Sequence, residues 1–252
     1  MTAIRPFKLS LCFSIKLALL STIPLPAQTL LTDSAFHQAS ITRSFERYQA
    51  AMDPDNRLYN GPEYLLRGQG VKGNPFFLSD SLLPGYLHYD DAIFNNIQLQ
   101  YDIVQDDVII DDYTHSAHIQ LVKEKIKDFT IRQHRFRFLD PGKNASDFMK
   151  PGFYEQLTGT ADSPLSLYAR HEKKIDFPAN PEEQARYAPS DSYFLQWENA
   201  FYQVETKRAL LEILKDKKDL LKKYIGENNI DFKKNLELAL IKTTSYYAQI
   251  RP

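Results

Sequence analysis

Between Asp111 and His118, in the stretch DDYTHSAH, two carboxylates and two imidazoles fall close together. Carboxylate oxygen and imidazole nitrogen are the donors that zinc and other divalent metals accept. Asp111, Asp112, His115 and His118 are therefore the candidate metal ligands, and the groups a metal-dependent hydrolase would use. On a strand, two histidines three apart project to opposite faces. They converge only if His115 lies in a turn. The competing account is a polar hairpin loop followed by a solvent-facing histidine, and the surrounding pattern favours it. The expectation is that no metal and no cofactor is bound and that no catalytic residue can be assigned.

Other motifs are weaker. GQGVKG, Gly68 to Gly73, matches the spacing of a dinucleotide-binding loop. That loop must open a helix whose N-terminus holds pyrophosphate. Asn74-Pro75-Phe76-Phe77 follows instead, so a flexible turn is expected. DPDNRLYNGPE, Asp53 to Glu63, hints at a calcium loop, but Arg57 and Tyr64 stand where oxygen ligands are needed. The nucleophile elbow, the zinc-protease helix motif and the phosphate-binding P-loop do not occur in the sequence. His171, in YARHEKK, is expected at a solvated strand end. Asn144-Ala145-Ser146 matches a glycosylation acceptor, a short match common by chance.

The elements that would carry these residues are legible from periodicity. Residues 33–52 read as a helix, with Ile41, Phe45, Tyr48 and Met52 on one face. RLYNGPEYLLRGQGVKGNPFF reads as turns between short extended pieces. Ile97, Leu99, Tyr101 and Ile103 alternate with polar residues, the mark of a half-buried strand. Asp106-Asp107 is a turn, Val108 to Ile110 the next strand, Asp111-Asp112 another turn, and Ala117 to Leu121 a third strand. Phe129 with Ile131, then Phe136 with Phe138, continue the rhythm. GFYEQLTGT and PLSLYARHEKKI are further strands, residues 173–191 a long exposed loop, and SYFLQW with FYQVE a last hairpin. From Thr206 the period becomes helical. Leu210, Ile213 and Leu214 mark one helix. Asp216 is the expected cap of the next, and Gly226 its stop. Asp231 is the expected cap of the last, whose stripe is Phe232, Leu236, Ala239, Leu240, Thr243 and Tyr247. In KDKKDLLKKYIGENNIDFKK the acids interleave with the lysines, which favours a solvated, salt-bridged face over a lipid or nucleic-acid contact. Strands first and helices last give an α+β fold: an antiparallel meander, open or curved into a half-barrel, followed by C-terminal helices. The organisation is 1–27 signal peptide, 28–57 N-terminal helical segment, 58–205 β-rich region and 206–252 helices packed on the sheet, the last two as one domain.

The first 27 residues carry Arg5, Lys8 and Lys16 and no acid. The short apolar run Leu17 to Leu25 and small Ala27 follow, a secretory signal pattern with Gln28 as the first mature residue. The run is too short to span a bilayer, and no second apolar run is long enough to do so. The single cysteine, Cys12, lies inside the signal, so the mature chain has no disulfide and no thiolate. The full chain has 31 basic and 32 acidic residues, a balance that gives no electrostatic reason to expect nucleic acid.

LYNGPEY (Leu58–Tyr64), GNPFF (Gly73–Phe77), QLQYDIVQDDVI (Gln98–Ile109), GFYEQL (Gly152–Leu157) and KRALLEILKDKKDLLKKYI (Lys207–Ile225) resemble a group of uncharacterised exported proteins of Bacteroidota. The Pro26-Ala27-Gln28 junction also looks like signal peptides of that phylum. The resemblance implies an envelope destination, periplasmic or secreted, and transfers no site residue. A non-enzymatic envelope protein that binds a protein or another envelope component is the leading expectation. A metal-dependent or other hydrolase and a small-ligand or lipid carrier are the alternatives.

Overall fold

A computed structural model describes residues 38, 40–43, 54–142, 148–160, 163–180, 182–198 and 200–251. The chain forms two compact units, Met1–Ala51 and Met52–Pro252. In the first, residues 38 and 40–43 are helical, and the Thr42 hydroxyl donates to the Gln38 carbonyl at 2.9 Å. The expected signal peptide, the rest of the helix expected at 33–52 and the acceptor Asn144-Ala145-Ser146 lie outside the described residues.

The second unit begins with a 3-10 turn, Pro54–Asn60. Its strands are β1 Leu83–Tyr89, β2 Ala92–Asp102, β3 Asp107–Asp111, β4 His118–Gln120, β5 Ile126–Ile131 and β6 His134–Leu139. They continue with β7 Gly152–Thr158, β8 Leu165–Arg170, β9 Lys173–Asp176, β10 Arg186–Pro189, β11 Ser192–Trp197 and β12 Ala200–Gln203. Ten of them form one open antiparallel sheet in the order β12-β11-β8-β7-β6-β5-β1-β2-β3-β4. The fold is α+β, as the alternation and the late change of period predict.

Local chemistry sets the turns. The β1–β2 hairpin turns at Asp90 and Asp91, both with left-handed φ (49° and 61°), the geometry whose twist matches a hairpin. Lys125 and Lys127 meet these two carboxylates at 3.2 and 2.6 Å. Strand β2 is long and serves both halves of the sheet. It pairs with β1 through Leu99 and with β3 from Gln100 onward. A register shift at Gly85/Tyr86 and a left-handed Asn96 sharpen its twist. A Cβ at residue 85 would overlap the Thr130 carbonyl, so only glycine lets β1 lie this close to β5.

The curl brings β2–β4 over β5–β7. The Tyr101 ring lies 5.4 Å from Phe129 and 6.0 Å from Phe153, and the Phe153 N–H donates to Asp106. Leu87, Leu99, Ile110, Leu121, Phe129 and Phe136 fill the space between. A second core lies where three helices, α1 Lys207–Ile213, α2 Lys218–Glu227 and α3 Leu236–Ile250, cover Leu165, Leu167 and Leu195. On the opposite face of β7, β8 and β11, Met149, Tyr154, Tyr168 and Phe194 form a small third cluster.

Four expectations are corrected. Residues 173–191 are not one loop: β9 and β10 form their own two-stranded sheet. The Lys72 N–H and carbonyl join it to the glycine-rich segment, through Ala185 and Tyr187. Asp216 does not cap a helix; its carboxylate accepts from the Tyr247 hydroxyl at 3.0 Å, and Lys217 precedes α2 with no side-chain cap. Gly226 lies within α2, and the chain turns at left-handed Asn229. Asn235, not Asp231, caps α3, accepting from Leu238 N at 2.9 Å. The buried stripe of α3 runs through Ala239, Leu240, Thr243, Thr244 and Tyr247. Among the described residues no helix is long and apolar enough to cross a membrane.

Candidate functional site

The β3–β4 connection holds the four residues singled out in the sequence. His115 lies in the turn, at φ 54°. That placement lets it converge with His118: Nδ1 of each ring meets one oxygen of Asp111, at 3.2 and 2.7 Å. Asp112 turns away from them and organises the loop. It accepts from the Ser116 and Ala117 N–H groups and from the Thr114 hydroxyl. The Thr114 hydroxyl bond and these backbone donors hold the Asp112 carboxyl down at about 2. The structure thus brings three of the four together, on an open loop where the His115 and His118 side chains are 78% and 50% exposed. Among the described residues no group of three such side chains is placed to hold a metal ion.

A more enclosed set of titratable groups lies on the curled face of the sheet. Register builds it. Phe136 on β6, Glu155 on β7, Ala169 on β8 and Tyr193 on β11 stand side by side in one row. His134 is two residues before Phe136, and His171 two after Ala169, so both share the face of Glu155. They approach it along opposite diagonals, from opposite flanking strands, within reach of long side chains. His134 Nδ1 meets Glu155 Oε1 at 2.6 Å, and His171 Nε2 meets Oε2 at 2.7 Å. His171 Nδ1 faces Asp191 at 3.4 Å. The Glu155 and His171 side chains are only 9% and 10% exposed.

The surroundings close the array. The Phe77 ring lies 5.1 Å from His134 and 5.0 Å from His171. Phe77 is held by its N–H on the Tyr101 carbonyl. Lys173 pins the same loop, donating to the Asn74 and Phe76 carbonyls at 3.0 and 2.6 Å. The Tyr193 hydroxyl donates to Glu237 in the first turn of α3 at 3.2 Å, and burial with Glu237 pushes that phenol well up. The row therefore sits between the aromatic core and the helix-covered core, and bonds to both neighbourhoods.

Its electrostatics follow from burial and pairing. Burial alone would lower His171, but hydrogen bonds to Asp191 and Glu155 outweigh it and raise the imidazole to about 9. Burial alone would raise Glu155, and the two histidines reverse that, leaving the carboxyl below its ordinary value. At neutral pH His171 is an imidazolium with a carboxylate at each ring nitrogen.

A second polar centre lies under the β2–β3 turn. Asp106 accepts from the Tyr101 hydroxyl at 2.7 Å and from Lys123 at 3.1 Å, with Arg170 at 3.8 Å. Arg170 also pairs with Glu172 at 2.8 Å and lies over the Tyr154 ring. Asp102, next to it in the fold, takes the Tyr64 hydroxyl and the N–H groups of Val104 and Gln105.

The expectation for His171 is overturned: it is enclosed, not solvated, because the curl of the sheet lays Phe77 across it. His134, Glu155 and Asp191 were not singled out in the sequence, being scattered from residue 134 to 191. One signal was present. In GFYEQL, Glu155 falls in phase with Phe153 and Leu157, and a carboxylate on the inward phase of a strand requires a partner. Comparison with family models, with curated proteins and with solved structures found no match.

Proposed function

We propose that the protein is an exported, non-enzymatic binding protein of the cell envelope. The observation that carries this is the closure of the buried array. His171 has carboxylates on both ring nitrogens, and Glu155 has imidazoles on both oxygens. A general base needs an unprotonated lone pair facing a substrate. His171 is protonated and engaged, so these groups brace the sheet. Export is supported by the basic and apolar pattern of residues 1–27 and by the resemblance to exported Bacteroidota proteins.

A crosslinked pull-down of the tagged full chain from its native envelope, read by mass spectrometry, tests this role. The expected result is one reproducible partner. An abundant, folded bait that recovers none contradicts it.

A further inference from the structure

We propose that the groove between the start of α1 and the α2–α3 connection takes an acidic segment of a partner protein, seated by an apolar side chain. This rests on the binding role proposed above and specifies its surface.

The groove has a volume of about 760 Å³ and is floored by Ile225, Ile230 and Phe232. Lys207, Arg208 and Lys233 stand around it. A smaller hollow of about 250 Å³ shares Asn229, Ile230 and Asp231 with it and extends the positive rim to Lys234 and Lys242. Among the described residues, none of these five cations makes an ion pair within 4.0 Å. Lys218, Lys222, Lys223 and Arg251 face carboxylates, while Lys215 and Lys217, in the turn before α2, likewise make no ion pair among the described residues. The groove also holds two acids, Glu205 and Asp231, which leave the cations in excess by one there, with Lys234 and Lys242 adding to it alongside. Glu205 accepts from the Gln203 amide, and Asp231 from the N–H groups of Lys233 and Lys234.

Charge segregation points the same way. Residues 206–252 carry 11 basic and 6 acidic side chains, a net of +5, within a chain whose net charge is −1. The remaining residues are therefore net −6, and the positive field is gathered at the helices. Such a field draws in and orients a negative partner. The apolar floor distinguishes the partner further. Ile225 is buried and Ile230 and Phe232 half-buried at the base of a concavity. A membrane-binding face needs apolar side chains that project outward; a recessed floor instead receives an anchor residue from an incoming chain. Gly226 forms part of the wall, and an added Cβ there would meet nothing within 4 Å.

The test uses the full chain and a fluorescent peptide of about 12 residues, rich in Glu with two Leu anchors. Controls are the same peptide with Gln for Glu, the same with Ser for Leu, and anionic phospholipid vesicles. The expected result is saturable binding of the acidic Leu peptide, weakened about tenfold or more by either change and by raised salt. The variant K207E/R208E/K233E, all at exposed positions, is expected to lose about tenfold or more in affinity with an unchanged circular dichroism spectrum. Gly226→Leu adds a side chain at the groove wall, where a Cβ meets nothing within 4 Å, and is expected to weaken binding by a similar factor. The proposal is overturned if the folded wild type does not bind the acidic peptide, if the Gln or Ser peptide binds equally well, or if both variants bind as wild type does. Binding of vesicles but not peptide overturns it in favour of a membrane contact. If the charge-reversed chain still captures the wild-type envelope partner, the groove is wrong and the binding role stands. If neither chain captures a partner, both fall.

Discussion

Glu155→Ala is expected to lower the free energy of unfolding by about 3–5 kcal/mol, because it leaves enclosed imidazoles without their carboxylate. Glu155 is bonded by both His134 and His171, and its row connects β6, β7 and β8. Glu155→Gln keeps the shape and removes the charge, so its loss is expected to be smaller, and the His171 imidazole should fall back toward its ordinary 6.5. Urea unfolding near neutral pH checks this. A loss below about 1 kcal/mol for Glu155→Ala would mean that the array does not support the fold. The same groups set a pH window. The folded His171 titrates at about 9, above its ordinary 6.5, so its contribution is full below 6.5 and is lost as pH rises through about 9. The folded Glu155 lies below its ordinary 4.5, so its contribution is present above 4.5 and is lost as pH falls through the lowered value. Stability is therefore expected to be greatest between these limits, and Glu155→Gln should flatten both flanks.

Phe136→Ala is expected to cost about 3–5 kcal/mol, the range for emptying a packed aromatic site. Phe136 is fully buried and stacks on Phe129 with centroids 4.9 Å apart. Phe77 and Tyr101 meet it edge-on at 5.0 and 5.1 Å. Its loss also removes the wall against which Phe77 covers the two histidines. Phe136→Leu should fall between wild type and Phe136→Ala. Thermal and urea unfolding check the order, and equal stability for all three would contradict the placement of this residue at the centre of the curled sheet.

The elements with clean alternation were the ones legible in the sequence. In β2, Leu99 and Tyr101 alternate with polar neighbours, and β3 is short and apolar between two aspartate turns. Pro84 and Gly85 break the pattern of β1, yet Gly85 is what allows its close approach to β5. Strands β9 and β10 are four residues each, polar and near prolines, so they read as loop. The helix ends misled because Asp216 and Asp231 have partners other than a helix N-terminus: a tyrosine of α3 for one, a preceding turn for the other. The loop at Asp111–His118 was legible as a local cluster because its members are neighbours in sequence. The His134–Glu155–His171–Asp191 array was not, because only strand register and the curl of the sheet bring its members together. What could be read was the in-phase glutamate of GFYEQL and its need for partners.

The most direct test of a bracing, non-catalytic array is an NMR titration of the imidazole carbon resonances of the folded chain, with His171→Gln to assign the signal. A His171 midpoint at about 9, leaving the ring charged and engaged at neutral pH, is the predicted result. A midpoint near 6.5, with a neutral ring available as a base, would contradict it and return the array to the candidates for chemistry.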